Sequence, residues 1–280
     1  MKIVTIIESG STKTDWCCIH ERDGIFHFHT EGYNPATGMA FPQVENQESL
    51  VKALRDSTKI VFYGAGVVGE HSYRQVENEL RLRTSTECSI QIYEDMYAAV
   101  HATAPQEEAF VAILGTGSNA CYHDGKGHIA TTLPTLGFIL SDEGGGTSLG
   151  KAIVKAYFYN QLPQDLKEKF EDQFSLTKDA FLSSLYKGPN PAGYLASFTK
   201  FLTGLDHPWK DQLLRDNFIK FFHARLNHPK GKELPIHFVG SISSNFQREL
   251  RKVAEELGFK IGSILEKPIA KLISYHVNGL

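Results

Sequence analysis

Two short stretches carry the residue types that hold phosphate oxygens. The first, Ser9-Gly10-Ser11-Thr12-Lys13-Thr14, lies between the apolar runs Ile3–Ile7 and Cys17–Ile19. A hairpin reverses with a single turn pair, so these hydroxyls and the one ammonium exceed what chain reversal needs. Successive backbone N–H groups at such a bend form a concavity suited to an anion. The second stretch, Gly115-Thr116-Gly117-Ser118, follows the run Phe110–Leu114 and repeats the composition. The GxxxxGK[ST] pattern is absent, so neither is a P-loop. A polar hairpin tip is the lesser reading of the first loop alone; two such loops at matching places are more specific than either one.

Acids and small residues recur where strands should end. Asp95, preceded by Glu94, follows the strand-like Ser89–Tyr93 and opens an Ala-rich helix. It is either a helix cap or a ligand group at a strand end. Asp142 and Glu143 precede three glycines and a helix, with the same two readings. Asn34, in Gly32-Tyr33-Asn34-Pro35, suits a hydroxyl-bearing substrate or a plain Asn-Pro turn. Val239-Gly240-Ser241 ends a strand with residues small enough to admit a flat base, or simply to pack closely. Gly64–Gly69 is a literal GxGxxG. The acid about 20 residues on that a dinucleotide fold requires would fall near Glu87, before the next strand. These glycines are therefore read as a tight strand-to-helix turn.

The elements that position these residues alternate regularly. Strands are predicted at 2–8, 15–21, 24–30, 59–63 and 89–93, with helices at 43–56, 70–83 and 96–104. Further strands follow at 110–114, 120–124 and 128–132, then a long helical stretch from the Gly-rich 141–146 to about 228. The chain closes with a strand at 234–240, a helix at 244–257, a strand at 259–265 and a helix at 268–277. Each half thus opens with a strand, a Gly/Ser/Thr loop and a returning strand, the mark of an internal duplication. At 280 residues two domains are expected. The boundaries are 1–108 for an N-terminal lobe and 109–265 for a C-terminal lobe with a helical insertion at about 150–228. A last helix within 266–280 returns to the first lobe.

Bulk properties narrow the function classes. A net charge of −3 provides no field to gather nucleic acid or an anionic membrane. The N-terminal apolar run is shorter than a signal-peptide core, and no run approaches a membrane span. The four cysteines, Cys17, Cys18, Cys88 and Cys121, form no CxxC, and the twelve histidines show no zinc spacing. Reduced, packed thiols and a cytoplasmic location are expected.

In order along the chain, Glu8–Trp16, Gly32–Pro35, Tyr93–Ala99, Leu114–Asn119, Leu136–Gly146 and His237–Ser243 resemble the N-acetylglucosamine kinase-like proteins. They also resemble the broader BadF/BadG-type ATPases, within the sugar kinase, heat-shock protein and actin superfamily. The resemblance spans nearly the whole chain. It implies an α/β fold of two duplicated RNase H-like (actin-like ATPase) lobes, with an interlobe nucleotide cleft and a helical insertion in the second lobe. It implies ATP-dependent phosphorylation of an amino sugar, most simply N-acetylglucosamine, with ATP and Mg²⁺.

Residue by residue, Gly10, Ser11, Thr12, Lys13 and Thr14 match the first phosphate loop and Gly115, Thr116 and Gly117 the second. Gly240 and Ser241 match the adenosine motif. Asn34, Ser118, Asn119 and Asp142 match sugar-contacting positions, and Asp95 the general base. Glu8 stands where the family has the Asp that binds Mg²⁺, usually through water. Its extra methylene moves the carboxylate by about 1.5 Å. Ser241 replaces a second Gly common in sugar kinases. The implied partner is a small-molecule amino sugar, with a homodimer allowed and neither nucleic acid nor membrane. Two other functions are an ATPase that activates a partner enzyme, as BadF-type activators do, and a weakly catalytic sugar- or nucleotide-binding regulator.

Overall fold

The computed structural model describes residues 3–277. Residue 2 of the expected first strand and residues 278–280 of the expected terminal stretch lie outside the described residues. The chain divides into two compact units, one running to Pro105 and resuming at Pro268, the other spanning Gln106–Lys267.

The first unit is built on β1 (Ile3–Ser9), β2 (Lys13–His20), β3 (Gly24–Glu31), β4 (Lys59–Gly64) and β5 (Ser89–Glu94). Their order is β3-β2-β1-β4-β5. The β1–β2 and β2–β3 pairs are antiparallel, while β4 and β5 join in parallel. β1 is buried on nearly every residue because it is central and covered on both faces. One face packs on α1 (Glu48–Asp56) and α2 (Gly69–Arg81). Leu50 with Leu54, and Val76 with Leu80, are i,i+4 pairs that bury against Ile7, Trp16, Ile60 and Phe62. The other face receives α3 (Asp95–Thr103), whose buried Ala98, Ala99 and Ala102 permit close approach. α12 (Ile269–Val277) packs on α3, β1 and β2.

The second unit repeats that plan with β6 (Glu108–Leu114), β7 (Ser118–Asp124), β8 (Ile129–Thr131), β9 (Pro235–Val239) and β10 (Lys260–Leu265). The order β10-β9-β6-β7-β8 is the first sheet's order with each strand replaced by its counterpart five later. Between β8 and β9 run α4 (Gly137–Leu140), α5 (Gly146–Phe158), α6 (Gln164–Phe174), α7 (Lys178–Lys187), α8 (Pro191–Ser197) and α9 (Pro208–Arg225). α10 (Ser241–Asn245) and α11 (Gln247–Leu257) precede β10. Phe110, Phe218, Phe221, Phe222 and Phe238 fill the core between sheet and helices.

Three elements differ from the sequence-based expectation. β2 begins at Lys13 rather than 15, because the register continues to Ser9 opposite Thr14 and their hydroxyls bond at 2.7 Å. The hairpin tip therefore contracts to Gly10–Thr12. α1 begins at Glu48 rather than 43, because Phe41 and Val44 turn into the core ahead of it. The helix expected at 244–257 is two helices meeting at Phe246, which is buried in the core with φ −116°. All four cysteines are free and buried, and burial pushes the Cys17 thiol up to about 12. No helix among the described residues is long and apolar enough to cross a membrane.

Candidate active site

In the first unit the candidate residues gather at the carboxyl ends of β1, β4 and β5. Ser9, Gly64 and Glu94 lie in one row across these strands. Glu8 is in register with Tyr63 and, through it, Tyr93, so β4 lies between Glu8 and Asp95, which follows β5 by one residue. Asp95 is the first residue of α3, and its N-cap Glu94 makes no side-chain cap bond. Burial pushes the Asp95 carboxyl up to about 6; backbone N–H groups of Met96 and Asp95 oppose the rise, and the neighbouring Glu94 adds to it. That value suits a proton acceptor working near neutral pH.

The first loop is clamped from behind. Asn34 donates to Ser11 Oγ at 3.0 Å and accepts from Ala36 N at 3.1 Å, so it serves as the turn residue and also holds the loop. Gly66, at φ +73°, leaves room for this: a Cβ there would sit 1.9 Å from Asn34 Oδ1. The GxGxxG stretch is therefore the seat of Asn34, not a nucleotide fingerprint. A Cβ on Gly32 would lie 2.4 Å from the Gly10 carbonyl oxygen, so Gly32 supports the loop backbone directly.

Asp15 was not singled out from the sequence. It lies opposite Glu8 and is 3% exposed, with Lys13 Nζ 3.0 Å away and His29 as a second ion-pair partner. Opposed residues of an antiparallel pair share a face with Cβ atoms about 5 Å apart, so Glu8 and Asp15 form an acidic pair. The hairpin register was the signal that could have revealed it. Among the described residues no group of three or more His, Cys, Asp or Glu converges to hold a metal. A carboxylate pair fits a hard cation that keeps most of its water and phosphate ligands.

Behind Asp95, Tyr63 on β4 is fully buried, with its hydroxyl 2.8 Å from His101 Nδ1 on α3 and 2.7 Å from His276 Nε2 on α12. Burial, with Lys59 nearby, pushes His276 down from 6.5 to about 4. The fold thus holds the neutral ring; its contribution is complete above about pH 6.5 and is lost as pH falls toward 4. The expected result is a melting temperature that falls between pH 6.5 and 4.5, less steeply in His276→Gln than in the parent. Parallel pH curves for the two proteins would refute it.

In the second unit three motifs converge. The loop Gly115–Gly117 is held by Gly146 N donating to Gly115 O at 2.8 Å and by Thr147 N donating to Thr116 O at 2.9 Å. Asp142, at φ +70°, accepts from Ser118 N at 3.1 Å, and a Cβ on Gly117 would lie 2.9 Å from its carboxylate. Burial pushes the Asp142 carboxyl up; the Ser118 N–H, Arg225 and Lys151 oppose the rise. Gly240, at φ +126°, backs the same loop: a Cβ there would sit 2.3 Å from Leu114 O, and Ser241 opens α10 beside it. Asn119 bonds its own neighbour, Ala120 N, at 2.8 Å. The buried hydroxyls of Ser118 and Thr147 have no partner, nor does Asn217 Nδ2, although Asn217 Oδ1 accepts from Gly144 N and Ser148 Oγ. Leaving such groups unmet costs about 1–3 kcal/mol each, so each is an atom that a water or polar ligand would satisfy. Sequence reading missed Thr147 and Asn217, for which no local pattern exists.

The chain is similar to a candidate N-acetylglucosamine kinase from Porphyromonas gingivalis, with 31% identity, a TM-score of 0.84, and 98% of this chain and 99% of that one covered. It is also similar to a candidate N-acetylglucosamine kinase from Chromobacterium violaceum, at 16% identity and TM-score 0.70, covering 98% of this chain and 99% of that one. The ethanolamine utilization protein EutJ from Carboxydothermus hydrogenoformans matches at 14% identity and TM-score 0.51, over 97% of this chain and 87% of that one. The latter two bear on the fold alone. No family model and no curated protein matches the chain.

Proposed function

The chain belongs to the N-acetylglucosamine kinase-like family, within the two-lobed α/β fold of sugar kinases and actin-like ATPases, and from that premise we propose that it transfers the γ-phosphoryl group of ATP to a hydroxyl of an amino sugar, N-acetylglucosamine or a close relative. The observation that carries this reading is the pair of Gly/Ser/Thr loops at the same β-turn of two sheets with the same strand order. Gly10–Thr14 and Gly115–Gly117 hold phosphate oxygens through backbone N–H groups and hydroxyls. Gly240 and Ser241 take the adenosine. Asn34, Ser118, Asn119 and Asp142 bind sugar hydroxyls, with the orphaned Ser118 hydroxyl supporting that role. Glu8, with Asp15 beside it, takes hydrated Mg²⁺, which neutralises phosphate charge when bound.

Asp95 accepts the proton of the attacking hydroxyl as the new O–P bond forms and the bond to the β-phosphate oxygen breaks; ADP and the sugar phosphate leave. Phosphoryl transfer asks mainly for in-line positioning and charge neutralisation, so one carboxylate and the two loops suffice. The alternative of an ATPase that activates a partner enzyme would, in the BadF-type activators it resembles, use exposed cysteines to hold an iron–sulfur cluster at a dimer interface; it finds less support, since all four thiols are buried. The test is ADP release over a panel of hexoses and N-acetylhexosamines with ATP and Mg²⁺. Release that rises only with an N-acetylhexosamine is expected. A rate indifferent to every sugar would overturn the kinase reading.

A further inference from the structure

The segment from Leu133 to Ser141 leads into Asp142, yet of its large apolar side chains only Phe138 is even partly buried. Leu133, Leu136, Ile139 and Leu140 are 48%, 60%, 73% and 73% exposed. Hydrophobic burial, the usual means of fixing a connection, is unavailable here. What holds the segment is a set of charged donors reaching its polar atoms from the helices. Arg225, the last residue of α9, donates from Nη1 to Leu133 O at 3.1 Å and Pro134 O at 3.2 Å, and from Nη2 to Ser141 Oγ. Lys151 on α5 donates to Phe138 O at 2.6 Å.

Arg225 is 2% exposed, and its Nε has no partner. Among the described residues no carboxylate lies within ion-pair distance of it. A buried guanidinium that acts on Asp142 only through space, with no ion pair, is an expensive way to stabilise a fold, and an apolar residue would serve packing better. Its fork geometry instead bridges both ends of the segment, as a single ammonium or an apolar side chain does not.

We propose that Arg225 is the positioning residue of the sugar side of the site, fixing the 133–141 segment at both ends so that Asp142 and Ser118 meet the sugar in one arrangement. This rests on the reading of Asp142 and Ser118 as sugar contacts. Arg225 acts through them and touches no reacting atom. Its charge also matters to Asp142, which sees Arg225 from α9, Lys151 from α5 and its neighbour Glu143. Burial raises the Asp142 carboxyl and Arg225 opposes the rise, so losing the guanidinium moves its ionisation to higher pH.

The experiment compares Arg225→Lys, Arg225→Met and Ser141→Ala with the parent, using N-acetylglucosamine and ATP as probes, and adds hydrogen exchange of the segment 133–142. Ser141→Ala removes one acceptor of the Arg225 guanidinium and leaves the guanidinium itself in place. Exchange is expected to quicken in that segment in all three variants. The KM for N-acetylglucosamine should rise about tenfold in Ser141→Ala and Arg225→Lys, and about a hundredfold in Arg225→Met, about 1.4 and 2.8 kcal/mol at the tenfold-per-1.4 conversion. The KM for ATP should stay unchanged, and the acid limb of the sugar kcat/KM profile should move to higher pH in Arg225→Met. Unchanged exchange overturns the proposal, as does an equal rise in both KM values or a lowered melting temperature with both KM values intact. A parent without N-acetylglucosamine-dependent turnover defeats the functional reading instead, and the exchange data then decide the positioning claim alone.

Discussion

Asp95→Asn is expected to abolish sugar-dependent ADP release, by a factor on the order of 10²–10⁴, while leaving the KM for ATP unchanged. The amide has the same shape but accepts no proton, so the hydroxyl must attack without a base. The Asp95 carboxyl, pushed up to about 6, is a better acceptor near neutral pH than an ordinary carboxylate, and the parent's rate should fall to half its plateau near pH 6. The raised value also fixes the sign of the stability effect. A carboxyl whose ionisation is disfavoured in the fold costs stability progressively as pH rises from its ordinary 3.8, and the loss is complete above about 6. Asp95→Asn should therefore melt no lower than the parent at pH 8, which separates lost chemistry from lost folding. Sugar-dependent turnover surviving in this variant would sink the general-base role.

Gly32→Ala should be the most damaging small change in the first unit. The three atoms nearest the added methyl are Gly10 O at 2.4 Å, Ser11 C at 2.6 Å and Thr12 N at 2.6 Å, all backbone. No rotamer change relieves such a contact, so the loop itself must shift. Overpacking of this kind costs about 1–3 kcal/mol. The Ser11 bond to Asn34 and the hydroxyl pair of Ser9 and Thr14 oppose the shift. If the loop binds the phosphates of ATP, that same energy appears as roughly a ten- to hundredfold rise in the KM for ATP. The check is the KM for ATP beside that for sugar. A melting shift with an unaltered KM for ATP would mean that the first loop does not contact the nucleotide.

Much of the fold was legible because it rests on short-range patterns. Strand, glycine loop and returning strand recur in the two halves, and the i,i+4 apolar pairs Leu50/Leu54 and Val76/Leu80 mark helix faces. The boundaries that slipped are those where a distant contact overrides local preference. Phe246 divides a helix because its ring is wanted in the core, and β2 reaches back to Lys13 because Ser9 holds Thr14 across the hairpin.

The sequence by itself determined the duplication, the positions of Glu8 and Asp95 next to strand ends, and that of Asp142 ahead of the glycines that open α5, since these depend on order along the chain. Tertiary structure alone decided what each glycine is for, and what steadies the acids. Gly66 admits Asn34, Gly32 backs the first loop, Tyr63 ties α3 to α12, and Arg225 holds a segment some ninety residues away. Such pairings depend on register and on how helices dock, which long-range packing sets. No local propensity encodes them, which is why a glycine that reads as a turn in the chain becomes a clearance for a particular side chain in the fold.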